Sequence, residues 1–320
     1  MEWGLEQQVD VSAIVISLNS RRYLGDCIRS LKTAAWRSVT WEIIVVDNGS
    51  TDGSLEVLAK EHPDVRVIAN PSNLGYCKAG NQGAEIARGR YLLHLNDDIL
   101  ILDDALPKLV EWMDRNPGAA MIGSRLLNLD RTDQFSSGRS FTTPWAAIFG
   151  RKSVLTRLFP NSSFARGYLL SDKIDSAAPY EVDWLSAAAM MTRREPYWKV
   201  GGLAEDFYYF HEQVICKRLQ EAGFKNYLHP QARIVHYEGA GSGVRTRKVR
   251  IRHIQGFHRA AHRWYCMHHG LGPMHPLRWA SAAMLAARAG ALMLLESLRP
   301  EPPKPKSDYD LGRPEGGVAL

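Results

Sequence analysis

Two acidic clusters, each at the end of a short and largely apolar run, constrain this chain more than any other feature. Residues 41–46 lead into Asp47-Asn48-Gly49-Ser50-Thr51-Asp52, and residues 91–95 lead into Asn96-Asp97-Asp98. Runs of this length and composition predict strands. In an open parallel sheet, ligands bind at the carboxyl ends of the strands, so both clusters should open on one crevice. Carboxylates gathered there suit a ribose, a base edge and a divalent cation.

Strand and helix patterns alternate through the first third of the chain. The predicted strands are residues 11–18, 42–46, 65–69 and 91–95, and the predicted helices are 21–33, 55–60, 76–88 and 103–115. This alternation predicts an α/β fold in which helices cover both faces of a parallel sheet.

Two common phosphate-binding motifs are absent. No G-x-G-x-x-G follows the first predicted strand, which argues against a dinucleotide dehydrogenase, and no G-x-x-x-x-G-K-[ST] occurs, which argues against a P-loop phosphotransferase. Phosphates must therefore be neutralised in another way. Asp97 and Asp98 offer one, because a hard divalent cation binds carboxylate and diphosphate oxygens together.

Several blocks in order along the chain resemble those of family 2 inverting glycosyltransferases, and most closely those of the bacterial rhamnosyltransferase-type branch. The resemblance covers about residues 10 to 240, and its blocks are residues 15–19, 44–54, 73–76, 80–83, 95–98, 182–190, 200–203 and 234–239. It implies a GT-A fold, with a Rossmann-like and mostly parallel central sheet flanked by helices. It also implies a nucleoside-diphosphate sugar donor and a divalent metal, Mg²⁺ or Mn²⁺.

The resemblance assigns residues to the donor site. Asp47 would face the base, and Asn73, Gly80 and Asn81 would line the base and ribose pocket. Asp98 would be the metal carboxylate, with His236 beside it at the metal or diphosphate. The remaining donor-site assignments are Ser17, Asn19, Asn96 and Asp97.

The assignments of Asp47, Asp98 and His236 have structural alternatives. Asp47 and Asp52 could cap a helix or form a turn, and for Asp52 we favour that alternative. Asp98 could belong to a strand-end turn, and His236 could be structural.

An inverting transfer also needs a base for the acceptor hydroxyl. In the family this base is a carboxylate that opens a helix after an aromatic segment, which here is residues 207–210. The family usually reads Glu-Asp-Val-Asp-Leu over 211–215, whereas this chain reads His211-Glu212-Gln213-Val214-Ile215. We therefore assign the base to Glu212 in preference to Asp206, Glu205 or the absence of any base. The structural alternative for Glu212 is a carboxylate that the dipole at the helix N-terminus stabilises.

The acceptor would lie beside Asp183 and Trp184 if the family layout holds. Trp184 could stack on a sugar face or be a buried aromatic.

The predicted domains are a catalytic domain over 1–243, a basic and amphipathic helical extension over 244–299, and a disordered tail over 300–320. Within the catalytic domain, the nucleotide-binding half spans about 10–125 and the acceptor half about 126–243.

The extension contains a basic stretch, Arg245 to Arg263, followed by an Ala-, Leu- and Met-rich segment over 277–298. Arg288 interrupts this segment, which argues against a run of ~20 uncharged residues spanning a membrane. We expect an interfacial helix and peripheral membrane contact through 245–298. Packing on the catalytic domain or in a dimer interface is the alternative. The histidines over 253–269 lack the spacing of a zinc site, so we expect no zinc there. No nucleic-acid-binding motif accompanies the basic residues, so we expect no nucleic-acid partner.

Composition fits an enzyme-sized globular protein. A chain of 320 residues that is 45% hydrophobic can bury one large core. Four widely spaced cysteines and the absence of a secretory leader predict free thiols and a cytoplasmic location, at the inner face of the membrane if the extension binds lipid.

The function predicted from these observations is transfer of a sugar to a glycan or lipid-linked saccharide in cell-surface polysaccharide synthesis. The resemblance implies L-rhamnose as the sugar, a dTDP- or UDP-linked donor and a polyprenyl-diphosphate-linked acceptor. The alternative is a catalytically degenerate module that binds a nucleotide sugar without transfer.

Overall fold

The computed structural model describes residues 9–134, 137–141, 170–237 and 246–300. Contacts divide the chain into two compact units, Met1–Glu238 and Gly239–Leu320. The domain boundary predicted after residue 243, residue Arg245 of the basic stretch, and residues 301–320 of the predicted tail lie outside the described residues.

The first unit is built around one mixed sheet. In the described residues, nine strands join it in the order β3-β2-β1-β4-β10-β6-β11-β5, with β8 paired to β11, while β7 and β9 form a separate ribbon. The strands are β1 Val11–Ser17, β2 Trp41–Asp47, β3 Arg66–Ala69, β4 Tyr91–Asn96, β5 Ile99–Ile101, β6 Ala119–Leu127, β7 Gly138–Arg139, β8 Tyr180–Val182, β9 Trp184–Leu185, β10 Ala189–Arg193 and β11 Lys225–His236.

The parallel half of the sheet confirms the predicted alternation. Strand β1 lies between β2 and β4 and is parallel to both, and β3 continues the parallel set beyond β2. In this register Ser17 pairs with Asp47, and Ile16 pairs with Asn96. The two acidic clusters therefore begin at the same edge of the sheet.

The other half of the sheet contains antiparallel pairs that the sequence pattern did not predict. Strand β10 is antiparallel to both β4 and β6, and β11 is parallel to β6 but antiparallel to β5. The pairing of β11 with β5 places His236 opposite Ile99, the residue that follows Asp98.

Helices cover both faces of this sheet. Helices α1 (Leu24–Thr33) and α4 (Ala105–Arg115) pack with Val11, Ala13 and Val15 of β1 in the main core. Because successive side chains of a strand point to opposite faces, Ile14 of β1 faces the other way, towards α3 (Tyr76–Ile86). The helices of this unit are α1 Leu24–Thr33, α2 Ser54–Glu61, α3 Tyr76–Ile86, α4 Ala105–Arg115, α5 Arg194–Lys199 and α6 His211–Glu221.

All four cysteines are free and buried, as predicted. The thiol of Cys27 lies 3.7 Å from the carbonyl oxygen of Asn96, directly behind the second acidic cluster. Burial raises the pKa of both Cys77 and Cys216 to about 12. Because the thiolate is the reactive form, these buried thiols are chemically inert in the folded protein.

The second unit contains a helical hairpin made of α7 Arg247–His268 and α8 Pro276–Leu298. The buried Glu296 of α8 accepts a hydrogen bond from Arg250 Nε at 2.6 Å, which joins the start of α7 to the end of α8. Near the middle of the hairpin, Arg288 Nη1 lies 2.6 Å from His258 Nε2.

Helix α8 bears on the expectation that this segment does not span a membrane. By length and composition alone it is long and apolar enough to cross a membrane, and within the described residues it is the one helix that meets both criteria. Arg288, on which that expectation was based, is bound to His258 of α7.

The close approach of α3 to the sheet provides a test of the packing. A Cβ atom added at Gly83 would lie 2.4 Å from Ile14 Cγ2 and 3.2 Å from Val46 Cγ2. We expect Gly83→Ala to lower the free energy of unfolding by about 1 to 2 kcal/mol, since overpacking outweighs the gain of about 1 kcal/mol in helix propensity. Urea unfolding measures this change. Gly118→Ala, where a Cβ would meet no atom within 4 Å, is the control; equal effects in both variants would contradict the packing argument.

Candidate active site

Asp47 ends β2 and is completely buried. Its Oδ1 accepts hydrogen bonds from the backbone N–H groups of Gly49 and Ser50, at 3.2 and 2.9 Å. Its Oδ2 has no hydrogen-bond partner among the described residues. One oxygen thus builds the turn, and the other is left for a ligand, because a buried carboxylate oxygen without a partner is costly. Asp52 has the turn role that we favoured, accepting from Arg21 N and Ser54 N.

Asn19 and Asn73 shape the loops on either side of Asp47. Asn19 adopts a left-handed conformation with φ of 52°, and its Oδ1 accepts from Thr51 N at 2.8 Å. Asn73 Oδ1 accepts from Asn48 Nδ2 at 3.0 Å and from Gly75 N at 2.8 Å. These bonds tie the loop after β1 and the loop before α3 to the end of β2.

Asp97 carries the most perturbed carboxyl group of the crevice. Burial, followed by the neighbouring Asp98 carboxylate, raises the pKa of Asp97 to about 7. Opposing this shift, Asp97 Oδ2 accepts a hydrogen bond from Leu18 N at 3.1 Å, and the hydroxyl groups of Ser17 and Ser20 also stabilise its charge. Two adjacent carboxylates held in this way favour a bound cation.

Asp98 and His236 come together across the pairing of β5 with β11. His236 Nε2 lies 3.4 Å from Asp98 Oδ1 and 3.3 Å from Asn96 Nδ2. On the other side of the ring, His236 Nδ1 lies 3.0 Å from Gln134 Oε1. A proton on Nδ1 would bond to Gln134 and leave the Nε2 lone pair facing Asp98.

This pair fits a divalent cation of the magnesium or manganese class. Asp98 Oδ1 is buried without a hydrogen-bond partner in the described residues, and an imidazole nitrogen lies beside it. No group of three or more potential ligand side chains occurs within the described ranges. The protein would therefore supply few ligands, and diphosphate oxygens would complete the coordination, as Mg²⁺ sites commonly use one or two carboxylates plus substrate phosphates.

Glu212 lies in the first turn of α6, where the helix dipole favours a carboxylate. Its Oε2 is buried without a hydrogen-bond partner in the described part of the chain and lies 3.5 Å from His211 Nδ1. The His211 ring packs on Tyr76, with ring centroids 4.9 Å apart.

Tyr76 links Glu212 to the acidic crevice. Burial raises the pKa of Tyr76 well above its usual range, and the charges of both Glu212 and Asp97 contribute. Tyr76 OH donates to Ala187 O at 2.7 Å, while Ala188 O accepts from Asn96 N at 3.1 Å. The predicted base and the predicted metal carboxylates thus border one region.

A family comparison decides the class of the protein. The model of glycosyl transferase family 2 matches residues 12–200, more than half of the chain. The chain belongs to glycosyl transferase family 2. The match spans both acidic clusters and ends before Glu212 and His236.

Among curated relatives of this glycosyltransferase is the N-acetylglucosaminyl-diphospho-decaprenol L-rhamnosyltransferase of Mycobacterium tuberculosis. The two are 26% identical over 298 residues, which cover 89% of this chain and 93% of the relative. This agrees with the resemblance to the rhamnosyltransferase-type branch.

Solved structures show that the glycosyltransferase has the GT-A fold. The mannosyltransferase PcManGT from Pyrobaculum calidifontis, in complex with GDP-Man and Mn²⁺, aligns with a TM-score of 0.53 at 17% identity, covering 91% of this chain and 80% of that one. GalNAc-T7 with UDP, GalNAc and Mn²⁺ aligns with a TM-score of 0.54 at 16% identity, covering 73% of this chain and 45% of that one.

Two residues assigned to the donor site, Gly80 and Asn81, make interior contacts in the structure. Gly80 faces the protein interior, where an added Cβ would lie 2.8 Å from Leu203 and 3.2 Å from His94. Asn81 is a structural cross-link: its Nδ2 donates to Leu203 O and Glu205 Oε1, and its Oδ1 accepts from Tyr197 OH and Leu203 N. Both lie on the inward side of α3, so these contacts do not support the base and ribose pocket assigned to them.

The two residues assigned to the acceptor side also make structural contacts. Trp184 is buried, its Nε1 donates to Ser140 O, and the Arg139 guanidinium lies over its ring at 4.9 Å. Trp184 is therefore the buried aromatic of the alternative and offers no face for sugar stacking. Asp183 Oδ2 accepts from Phe141 N at 2.8 Å, which gives that carboxylate a structural contact.

The sequence pattern assigned no role to three residues that contact the candidate site, namely Tyr76, His211 and Gln134. Gln134 carries no local signal, because its contact with His236 forms only when β11 is in place. His211 does carry a sequence signal, because this chain has histidine at a position where the family usually has glutamate.

The raised pKa of Asp97 predicts a pH-dependent stability. The pKa of this carboxyl is 3.8 when unperturbed and about 7 in the folded protein. The protonated carboxyl therefore contributes stability to the fold below about pH 4, and this contribution is lost as the pH rises through 7. In EDTA, we expect Asp97→Asn to gain stability relative to the unchanged protein from pH 4 to 8, by no more than about 1.4 kcal/mol per pH unit. Chemical unfolding at several pH values measures this. Asp172→Asn, at an exposed carboxylate, is the control, and a difference independent of pH would contradict the assignment.

Proposed function

We propose that this family 2 glycosyltransferase is an inverting enzyme that transfers L-rhamnose from a dTDP- or UDP-linked donor to a saccharide carried on a polyprenyl diphosphate. The observation that carries the proposal concerns three carboxylates. Asp47, Asp98 and Glu212 each have a buried oxygen without a hydrogen-bond partner among the described residues. Asp47 and Asp98 thus offer oxygens for base recognition and metal binding, and Glu212 offers a carboxylate for removal of the acceptor proton.

The comparisons support the substrate classes. The mycobacterial relative is named for L-rhamnosyl transfer to an N-acetylglucosaminyl-diphospho-decaprenol, which supports rhamnose and a lipid-linked acceptor. The structural relatives were solved with UDP or GDP-Man and Mn²⁺, which supports a nucleotide-sugar donor and a divalent metal.

In the proposed mechanism, Asp47 Oδ2 accepts a hydrogen bond from the ring N–H of uracil or thymine. Asn19 and Asn73 hold the loops around that base. Asp98 and His236 would hold the divalent cation, which would supply positive charge to offset the charge developing on the departing diphosphate.

Transfer itself is a single displacement. Glu212 takes the proton of the acceptor hydroxyl as its oxygen attacks the anomeric carbon. The bond between that carbon and the diphosphate oxygen breaks, the nucleoside diphosphate leaves with its electron pair, and the configuration inverts.

A second candidate is a module that binds the donor without transfer. The observation in its favour is the loss, at 211 and 214, of the acidic side chains usual in the family. The two candidates differ in whether Glu212 matters for turnover.

Measurements of turnover and of donor binding distinguish the transferase from the binding module. With dTDP-rhamnose, Mn²⁺ and a polyprenyl-diphosphate-linked N-acetylglucosamine, we expect release of the nucleoside diphosphate and a product of inverted configuration. Glu212→Gln should lower kcat by about 10²–10⁴-fold, the usual contribution of a general base. Binding without turnover, unaffected by Glu212→Gln, would favour the module.

Thermal unfolding tests the donor site independently of transfer. UDP or dTDP at ~100 times its dissociation constant, with Mn²⁺, should stabilise the protein by about 2.7 kcal/mol. Asp98→Asn should abolish the part that depends on the metal, whereas the exposed Asp172→Asn should retain it. Equal metal-dependent shifts in both variants would remove Asp98 from the site.

We also propose that the hairpin of α7 and α8 binds an anionic membrane surface. Lys248, Arg252 and Arg259 are exposed and lie at helical spacing on one side of α7. The exposed apolar side chains of α8 include Trp279 and Leu298, which are 65% and 74% exposed. Basic residues beside an exposed apolar helix suit lipid headgroups and the acyl boundary. A polyprenyl-linked acceptor resides in the same membrane.

Vesicle flotation of the full chain tests the hairpin. We expect binding to vesicles of phosphatidylcholine with phosphatidylglycerol and much weaker binding to phosphatidylcholine alone. Reversing the charges of Lys248, Arg252 and Arg259 to Glu should abolish this preference, since each basic residue contributes about 1 kcal/mol near an anionic surface. Lys60→Glu, at an exposed residue of the first unit, should bind as the unchanged protein does. Equal binding of the triple variant would refute the proposal.

A further inference from the structure

His211 occupies a confined position at the start of α6. Its side chain is only 12% exposed, and its ring packs on Tyr76 at an interplanar angle of 30°. Neither ring nitrogen has a hydrogen-bond partner among the described residues. The carboxylate oxygen Glu212 Oε2, which also lacks one, lies 3.5 Å from His211 Nδ1. Two buried polar groups without other partners thus face each other.

The surroundings fix the position of the His211 ring. Tyr76, on which it packs, begins α3 and is held by its hydrogen bond to Ala187 O. Phe210, the residue before α6, is buried and has a left-handed φ of 66°. This backbone conformation sets the direction in which the first turn of α6 runs. Buried residues Val214 and Ile215 anchor the following turn. The imidazole therefore has little freedom to turn away from Glu212.

Packing alone does not explain a histidine at this position. Contact with the Tyr76 ring requires an aromatic face, which phenylalanine would supply without burying two nitrogens. Burying polar nitrogens is costly unless they are hydrogen-bonded. The Glu212 carboxylate lies 3.5 Å from Nδ1, so a proton on that nitrogen can be donated to the carboxylate.

We propose that His211 is a positioning residue for Glu212. A proton on Nδ1 is donated to Glu212 Oε2, which holds the flexible glutamate side chain in one orientation and leaves Oε1 to receive the proton of the acceptor hydroxyl. This inference rests on the proposed function, because it assigns Glu212 the role of base. Since a misplacement of about 1 Å can cost on the order of 100-fold in rate, the restraint on Glu212 is significant for catalysis.

Two substitutions of His211 separate the hydrogen bond from the packing. His211→Phe keeps a ring against Tyr76 and removes both nitrogens, whereas His211→Asn removes the ring and keeps an amide N–H near the position of Nδ1. In the full-length enzyme with Mn²⁺, we expect the Phe variant to lose about 10- to 100-fold in kcat with little change in the donor KM. The Asn variant should recover about tenfold of that loss. A purely structural role predicts the reverse order.

A double variant tests whether His211 acts through Glu212. In a Glu212→Gln background, His211→Phe should have no further effect on kcat, because the base that it positions is already gone. Multiplicative losses in the double variant would overturn the proposal, as would unchanged kcat in His211→Phe.

The outcomes also distinguish this inference from the proposed function. If the unchanged enzyme turns over and His211→Phe does so equally well, only the positioning role fails. If the unchanged enzyme shows no turnover with any donor, both the proposed function and the positioning role fail. Metal-dependent stabilisation by UDP, which does not involve His211, should be the same in all variants and shows that each one folds; its loss in His211→Phe would indicate a structural role and overturn the proposal.

Discussion

The parallel pairing of β1 with both β2 and β4 is the constraint on which the rest of the site depends. Its register sets Ser17 beside Asp47 and Ile16 beside Asn96, so that two loops far apart in the chain leave the sheet at one edge. Side chains alternate between the faces of a strand, so a slip of one residue would turn Asp47 into the opposite layer. The buried core of α1, α4 and the β1 face excludes that slip. Hydrophobic packing thus stabilises a cluster of carboxylates that would otherwise repel one another.

The second half of the sheet supplies the contacts to Asp98, Tyr76 and Asn96 that the first half lacks. Strand β11 pairs with β5, and this pairing delivers His236 to Asp98. The antiparallel β10 lies next to β4, and just before it Ala187 and Ala188 bind Tyr76 and Asn96. The parallel half therefore supplies the nucleotide end of the site, while the antiparallel additions connect it to the metal pair and to Glu212.

Sequence reasoning predicted the local features and missed the long-range ones. Apart from β5, the strands and helices up to Arg115 were located to within a few residues, because apolar periodicity and turn residues are encoded locally. Strand β5 is only three residues long, and β10 depends on partners remote in sequence, so neither gives a strong local signal. Asn81 and Trp184 show the same limit: a motif reveals that a residue recurs in a family, but only packing reveals whether its side chain faces a ligand or the interior. For Arg288, the sequence revealed a charge but not the histidine that binds it.

The buried thiol of Cys27 gives the acidic crevice a built-in chemical reporter. Its sulfur lies against the carbonyl of Asn96, on the core side of the carboxylates. A thiol-modifying reagent can reach it only when α1 separates from the sheet, and such local openings are rarer than the fluctuations of surface loops. The rate at which this sulfur is modified therefore measures how often α1 separates from the sheet behind the acidic crevice. A ligand bound in the crevice would slow the modification without contacting the cysteine.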